Sequence, residues 1–223
     1  MEENNIQEIV WSDKSDWIYN PKQDRSREKM ERVLISAMTL FSELGYEEAT
    51  ISLISRHAEV SSASIYRRFA DKSSLLYAIL DTWSRARTRD FDKSWHTLTE
   101  GVSDPARIVS IYIEIVFSAY RNDSGLLRLI EGRSISDETV KNILSGMIRH
   151  SAICFYNKIN DVIPKEERGD LRDFVSSSTI VLTGAIRSLM LWGAMTPWQD
   201  VTIFSDKFKD FVKSSLISRF SRT

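Results

Sequence analysis

The sequence predicts an all-α protein, and two observations support this fold class. The 223 residues include only 8 glycines and 4 prolines, which favours long uninterrupted helices over sheets with many turns. Apolar residues recur at intervals of three and four over most of the chain, which is the spacing of amphipathic helices. We expect an acidic, flexible extension at residues 1–24, a three-helix domain at 25–72 and a second helical domain at 73–223.

The first helix of the three-helix domain is predicted from about Arg27 to Leu44. Its apolar stripe consists of Val33, Leu34, Ala37, Leu40, Phe41 and Leu44. Gly45 follows directly and is the expected left-handed cap. Because this stripe needs other apolar faces to cover it, we expect the next two helices to pack against it.

Two short helices are predicted between residues 50 and 72. Thr50 and Ser61 precede them as N-caps, because their hydroxyls can accept a bond from a free backbone N–H. The inner faces hold Ile51, Ile54, Ala58, Ile65 and Phe69. A three- to four-residue turn joining two short helices indicates a helix-turn-helix.

The outer face of the second short helix lacks acidic residues and is rich in small and basic ones. It carries Ser62, Ala63, Ser64, Arg67 and Arg68. Small hydroxyls can approach base edges, and guanidinium groups can reach phosphates or guanine. The pattern alone is equally consistent with two core helices that bind nothing. The net charge of −1 means that any DNA binding must depend on a local patch.

A series of landmarks in this region keeps a specific order and spacing. They are Leu40, Phe41, Gly45, Tyr46, Thr50, Ile54, Ala58, Val60, Ser61, Tyr66, Phe69, Lys72, Leu75 and Leu76. In this order, residues 27–80 resemble the DNA-binding domain of TetR-family transcriptional regulators. Two positions depart from the family pattern. Glu59 stands where the turn usually has glycine, and Ala63 stands where the recognition helix often has glycine or proline.

The resemblance implies a set of contacts with a double-stranded DNA operator. Tyr66 and Lys72 would contact phosphates, with Thr50 as a further candidate. The expected base-edge residues are Ser62, Ala63, Ser64 and Arg67, and Arg68 would contact the backbone. Asp71 is the predicted N-cap of a fourth helix, so Lys72 lies beside the positive end of a helix dipole and favours an anion there.

The second domain matches no specific motif, but its helices are strongly amphipathic. The helix after Asp104 and Pro105 is apolar over most of its circumference, which is typical of a central helix. Its narrow polar stripe includes Glu114 and faces either water or a ligand cavity. Candidate walls of such a pocket are Trp83, Phe91, Trp95, Tyr112, Phe117, Tyr120, Phe155 and Trp192.

The last two helices have more apolar faces than one subunit needs. We therefore expect a homodimer through a four-helix bundle, as in TetR-like proteins, although both faces could instead be internal. The candidate interface residues are Ile180, Gly184, Leu191, Met195, Phe204, Phe208 and Phe211. A two-fold dimer would read a palindrome with half-sites about 34–36 Å apart, or a multiple of that distance.

Motifs for catalysis and cofactor binding are missing from the sequence. There is no P-loop, no GxGxxG and no GxSxG, and the three histidines lie on different predicted helices. We expect no enzyme, no cofactor and no metal site. A single cysteine, the lack of a signal peptide and the lack of a membrane-length apolar run predict a cytoplasmic protein without membrane contact.

Two functions remain open from the sequence. The first is a repressor that binds a palindromic operator as a homodimer and is released by a small apolar or aromatic effector. The second is a DNA-bound adaptor whose second domain binds a protein partner, which is favoured by the tryptophans of the acidic extension at Trp11 and Trp17. A bound small molecule would favour the first function, and a closed core would favour the second.

Overall fold

The computed structural model describes residues 24–122, 124–192, 209–211, 213–218 and 220, and these are helical except for turns and short links. The helices are α1 (Asp24–Leu44), α2 (Ile51–His57), α3 (Ser62–Tyr66), α4 (Lys72–Thr99), α5 (Pro105–Asn122), α6 (Ser124–Arg133), α7 (Glu138–Val162) and α8 (Leu171–Trp192), with a 3-10 turn at Lys165–Glu167. Residues 209–211 and 213–217 are also helical. The all-α prediction is confirmed. None of the described helices has the length and apolar character needed to cross a membrane.

The chain divides into two compact units. The first comprises residues up to 86 together with 123–144, and the second comprises 87–122 together with residues from 145 onward. The first unit therefore extends beyond residue 72, where we placed the boundary from the sequence. It takes in α6 and the start of α7, which are far from the helix-turn-helix in the sequence.

The first unit is built on α1, which packs against both α2 and α6, while α2 packs against α3. Its core contains fully buried side chains from each of these helices and from the link after α3: Leu34, Phe41, Ile54, Ile65, Phe69 and Ile130. Gly125 permits a close approach, because a Cβ at this position would lie 3.1 Å from the carbonyl oxygen of Ser42. This contact explains why α6 belongs to the first unit.

The second unit is organised around α5, which packs against α8. Buried residues occur on most sides of α5: Ile108, Val109, Ile111, Tyr112, Ile113, Val116 and Phe117. The central position predicted for this helix agrees with this burial. Asp104 caps its start by accepting a hydrogen bond from the N–H of Ala106 at 3.0 Å.

Candidate nucleic-acid interface

Both predicted N-caps of the helix-turn-helix are formed. The hydroxyl oxygen of Thr50 accepts a hydrogen bond from the N–H of Leu53 at 3.2 Å, and that of Ser61 accepts one from the N–H of Ser64 at 3.2 Å. These bonds satisfy donors that the first turn of a helix leaves free. They set where α2 and α3 begin.

The turn between α2 and α3 closes around Glu59. The N–H of Glu59 donates to the carbonyl of Arg56 at 3.2 Å, and the N–H of Val60 donates to the carbonyl of Ser55 at 2.9 Å. These are the two bonds of a Schellman motif. Glu59 occupies its left-handed position with φ +54°, where glycine is usual because a side chain strains this backbone. The tight turn is therefore formed despite the departure noted at Glu59.

The two faces of α3 differ sharply in exposure. Ile65 and Phe69 are each 1% exposed and anchor the helix to the core of the first unit. On the other side, Ala63, Tyr66 and Arg67 are exposed, and Tyr66 retains 55% of its accessible surface. A large aromatic side chain left exposed beside a guanidinium suits contact with a partner. The division into inner and outer faces is the one that the sequence predicted.

The serines of α3 are held within the helix-turn-helix. The hydroxyl of Ser62 lies 3.0 Å from that of Ser55 on α2, so it links the two helices. The hydroxyl of Ser64 accepts a hydrogen bond from Nη2 of Arg67 at 2.9 Å and lies 3.0 Å from that of Ser61. A hydroxyl has one donor and two acceptor lone pairs, so each serine keeps acceptor capacity for a base N–H. The guanidinium of Arg67 is already oriented along the exposed face by Ser64.

The end of α3 concentrates positive charge. Burial, and to a lesser degree the neighbouring guanidinium of Arg67, lower the pKa of Arg68. The direction of this shift means that the charged form of Arg68 is partly desolvated and lies close to a like charge.

The start of α4 is capped as the sequence predicted. Oδ1 of Asp71 accepts hydrogen bonds from the N–H of Ser74 at 2.7 Å and from its hydroxyl at 2.8 Å, and these bonds lower the pKa of the Asp71 carboxyl. Nζ of Lys72 donates to the carbonyls of Tyr46 and Glu47, at 2.7 and 3.3 Å. An ammonium has three N–H groups, and these two carbonyls take up two of them.

A cationic and aromatic cluster beside Lys72 was missed by sequence reasoning. Nζ of Lys72 lies 4.1 Å from the ring centroid of Tyr46, and the guanidinium carbon of Arg133 lies 3.9 Å from it. Nη2 of Arg133 is 3.2 Å from Oδ2 of Asp137, which also accepts from the hydroxyl of Tyr77 at 2.9 Å. Arg133 is distant from the helix-turn-helix in sequence, so only folding could reveal this cluster.

Four of the residues predicted to line an effector pocket form one aromatic cluster in the second unit. The rings of Tyr112 and Phe155 stack with centroids 4.4 Å apart, and the ring of Trp95 meets both edge-on at 6.0 and 6.4 Å. Phe91 stacks on Trp95 with centroids 5.8 Å apart. Burial of Tyr112 raises the pKa of its hydroxyl, so this ring stays neutral at physiological pH.

The other predicted pocket residues lie in the core around this cluster, in the first unit, or outside the described side chains. Trp83 is 1% exposed and belongs to the first unit. Phe117 is buried and Tyr120 is half-buried in the second unit. Trp192 is the last residue of α8, and its side chain is not among those described. The residues predicted from the sequence to line an effector pocket are therefore divided between the two units.

Glu114 lies on the outer side of α5 and is paired with two lysines. Its side chain is 46% exposed, and Nζ of Lys209 is 3.4 Å from Oε2 while Nζ of Lys213 bonds to Oε1. The hydrogen bond from Lys213 is the main cause that lowers the pKa of this carboxyl. The polar stripe of α5 thus faces outward at Glu114.

The predicted dimer residues that the structure describes are exposed. Ile180 on α8 retains 70% of its accessible surface and Phe211 retains 67%, and Val181 beside Ile180 retains 56%. Gly184 presents open space, because a Cβ placed there would meet no atom within 4 Å. The remaining candidates lie outside the described side chains: Leu191, Met195, Phe204 and Phe208.

One group of chemically active side chains was overlooked in the sequence. Asp92, His150 and Cys154 lie together in the second unit, with their ligating atoms all within 4.8 Å of one another. Desolvation and, after it, the carboxylate of Asp92 raise the pKa of the Cys154 thiol. His150 and Cys154 are four residues apart on α7, which is visible in the sequence. The expectation of no metal site rested on the premise that no histidine stands four residues from another histidine or a suitable cysteine, and His150 and Cys154 show that this premise is wrong.

The fold and the exposed basic face of α3 define a helix-turn-helix protein, and comparison with known proteins narrows the class. Residues 33–79 match the model of the family described as bacterial regulatory proteins, tetR family. The HTH-type transcriptional regulator HbdR of Aromatoleum sp. (strain CIB) is 31% identical over 106 residues, which cover 44% of this chain and 46% of that protein. The A-factor receptor protein of Streptomyces griseus is 37% identical over 60 residues, covering 27% of this chain and 22% of that protein.

Solved structures share the fold over nearly the whole chain. A TetR-family regulator from Mesorhizobium loti aligns with a TM-score of 0.65 at 16% identity, over 88% of this chain and 98% of that one. A regulator from Saccharomonospora viridis in complex with choline aligns with a TM-score of 0.61 at 14% identity, over 88% and 97%. The chain spans half or less of the length of the curated relatives that it matches. Residues 33–79 are therefore similar to the tetR family of bacterial regulatory proteins, and 88% of the chain shares the fold of a solved TetR-family regulator.

Proposed function

We propose that the protein is a repressor that binds a palindromic DNA operator as a homodimer and is released by a small apolar or aromatic molecule. The observation that carries this proposal is the outer face of α3. Tyr66 and Arg67 are exposed there, on a helix whose other side is locked by Ile65 and Phe69. A rigid helix that presents cationic and aromatic groups is suited to the major groove.

The proposed contacts fall into two kinds. Phosphates would be bound by Tyr66, Arg68, Lys72 and Thr50. These contacts would set the orientation of α3 on the DNA but would not distinguish one base sequence from another. Arg67 would read a base edge, because a guanidinium can donate two hydrogen bonds to guanine. The remaining base-edge candidates are Ser62, Ala63 and Ser64. The operator DNA lies in the cytoplasm of a bacterial cell, so we propose the same location for the protein.

The proposed dimer would use the exposed apolar residues of α8. Ile180 and Val181 are adjacent and mostly exposed, and Gly184 one turn later allows a second helix to come close. An exposed apolar face on a helix is typical of an interface. The distance between the two copies of α3 would then decide which operator spacing is bound.

The proposed effector would act on the second unit. The cluster of Phe91, Trp95, Tyr112 and Phe155 is packed ring against ring in the core, so an aromatic or apolar ligand would have to displace one of these rings and take over its contacts. The similar proteins include an A-factor receptor protein and a regulator in complex with choline, which supports a small-molecule ligand without indicating that it is apolar or aromatic. An effector would lower DNA affinity only by its preference for the state that does not bind the operator.

DNA recognition is best tested by selecting bound fragments from genomic DNA and footprinting them. Arg67→Ala should weaken binding to the selected operator by about 1–3 kcal/mol, which is roughly 5- to 150-fold. It should also relax the preference for one base in each half-site. Tyr66→Phe removes only a hydroxyl and should weaken binding to all sequences alike.

Arg85→Ala is the matched control for the loss of positive charge. Arg85 is an exposed arginine on α4 that pairs with Asp81 at 3.0 Å, and its loss changes the net charge by the same amount. If Arg67→Ala and Arg85→Ala weakened binding equally, the effect would be one of general charge and α3 would not be the reading helix. A monomer in sedimentation at concentrations that protect the operator would contradict the proposed dimer.

The alternative is a DNA-bound adaptor for a protein partner. The sequence feature that favours this alternative is the acidic extension with its tryptophans. Residues 1–23 of that extension lie outside the part of the chain that the structure describes. Thermal melts with a panel of aromatic and quaternary-ammonium compounds separate the two functions. A compound that raises the melting temperature and also releases the operator favours the repressor, because only a ligand of the folded state stabilises it.

A further inference from the structure

We propose that Asp92, His150 and Cys154 form a binding site for a divalent cation of the zinc class. The three side chains offer a carboxylate oxygen, an imidazole nitrogen and a sulfur, and these atoms lie within 4.8 Å of one another. This donor set combines hard, intermediate and soft ligands, which Zn²⁺ accepts. The site lies in the second unit and does not depend on the proposed binding of DNA.

The three groups converge on one atom, Nε2 of His150. Oδ1 of Asp92 is 2.6 Å from this nitrogen, and Sγ of Cys154 is 3.7 Å from it. A neutral imidazole nitrogen either donates one hydrogen bond or accepts one. It therefore cannot accept a hydrogen bond from the thiol while it donates one to the carboxylate. A cation at the centre would satisfy all three groups together.

The spacing suits tetrahedral zinc with little movement. With Zn–S of about 2.3 Å and Zn–N of about 2.0–2.1 Å, the sulfur and nitrogen would lie about 3.6 Å apart, close to the distance in this structure. The carboxylate oxygen and the nitrogen would lie about 3.3 Å apart, so the side chain of Asp92 has to draw back. Asp92 is half-exposed, which leaves it room to do so.

The backbone supports this arrangement because the ligands come from two helices. His150 and Cys154 lie one turn apart on the same side of α7, and Asp92 comes from α4. The ring of Phe91, next to Asp92, meets the imidazole of His150 edge-on with centroids 6.2 Å apart. This apolar contact orients the imidazole. Three protein ligands leave a fourth position for water or another small ligand.

Binding would convert the thiol of Cys154 into a thiolate. The sulfur–metal bond forms as the S–H bond breaks, and the proton passes to solvent with no change of oxidation state. Cys154 is the single cysteine of the chain. Any thiolate-to-metal charge-transfer absorption in the protein therefore has to come from Cys154, which makes the site unusually easy to test.

The test is a titration of the reduced, tag-free full chain with Co²⁺, a spectroscopic substitute for Zn²⁺. We expect one equivalent to give visible bands of tetrahedral cobalt and a thiolate charge-transfer band, both removed by adding Zn²⁺. Cys154→Ser should abolish the charge-transfer band. Asp92→Asn and His150→Gln should each raise the dissociation constant for the metal by about tenfold or more. Losing a residue that only hydrogen-bonds to a ligand already weakens metal binding by about 10- to 100-fold, and losing a ligand should cost at least as much.

His57→Gln is the matched control, because His57 is an exposed histidine on α2 in the first unit. It should bind Co²⁺ as the unaltered protein does. Circular dichroism of each variant would confirm that it is folded. The proposal is overturned if the unaltered protein shows no charge-transfer band at one equivalent. It is equally overturned if that band appears but neither Asp92→Asn nor His150→Gln changes the affinity.

Discussion

Both units of this protein are helical, and each has a core of buried apolar side chains. They differ in how the sequence determines the positions of their helices. In the first unit, identifiable local features set the geometry: two hydroxyl caps, a left-handed turn at Glu59 and a carboxylate cap at Asp71. In the second unit, apolar packing such as the stack of Tyr112 on Phe155 accounts for most of the arrangement.

The difference reflects what each unit has to do. A recognition helix needs a fixed position to within a fraction of a turn, because a short rotation would move Arg67 away from the groove. Directional hydrogen bonds supply such precision, whereas apolar contacts are non-directional. If the second unit binds an effector as proposed, it gains from adaptable apolar walls, so local motifs are less necessary there. Four measurements could break or sharpen this contrast.

Removing a buried ring from the core should destabilise the protein by a similar amount in either unit. These substitutions should change the free energy of unfolding more than any of those below. Phe69→Ala in the first unit and Phe155→Ala in the second should each lower the free energy of unfolding by about 3–5 kcal/mol, because each removes a fully buried ring. Urea denaturation followed by circular dichroism measures both. Tyr66→Ala, three residues from Phe69 but exposed, should change stability by less than about 0.5 kcal/mol. Equal losses for Tyr66→Ala and Phe69→Ala would contradict the two-faced description of α3.

The cluster at Tyr46 should give the next largest effect. Arg133→Ala removes a cation over the ring of Tyr46 and an ion pair with Asp137, and it should lower stability by about 1–2 kcal/mol. Arg128→Ala on the same helix is the control, because Arg128 is exposed. An effect of Arg128→Ala as large as that of Arg133→Ala would show that helix propensity or net charge is responsible.

The cap at Asp71 should contribute about 1 kcal/mol at neutral pH, as measured by Asp71→Ala in urea. Its hydrogen bonds with Ser74 lower the pKa of the carboxyl below the usual 3.8. This stabilisation is therefore complete above the pKa of the unfolded chain and is lost as the pH falls through the lower native value.

Asp71→Asn is the control for this pH dependence, because an amide oxygen caps the helix without titrating. The stability advantage of the unaltered protein over Asp71→Ala should shrink on acidification, while the advantage of Asp71→Asn should persist. An advantage of the unaltered protein that stayed constant from pH 7 to pH 2 would rule out the ionised carboxylate as the source.

The smallest effect expected is a gain. Glu59→Gly relieves the strain of a side chain at φ +54°, although glycine also makes the unfolded chain more flexible. The balance should stabilise the protein by about 0.5–1 kcal/mol, measured as a higher urea midpoint. Glu59→Ala, which keeps a Cβ, should give no such gain. A loss of stability in Glu59→Gly would mean that the Glu59 side chain makes a stabilising interaction.

The sequence by itself determined the helix-turn-helix. Caps, the turn and the inner apolar residues all lie within a few residues of one another, and local chemistry is readable at that range. For this reason the sequence alone predicts the helix caps at Thr50, Ser61 and Asp71, and the structure confirms them. The sequence also shows that Glu59 stands where glycine is usual in this turn. The Schellman turn forms there all the same.

Only the tertiary structure decided which distant residues meet. Arg133 reaches the ring of Tyr46, Gly125 brings α6 against α1, and Asp92 joins His150 from another helix. The periodicity of a helix states which side is apolar but does not state which helix covers it, since many apolar faces are interchangeable in energy. Helix faces are therefore local information, whereas their partners are a property of the folded chain.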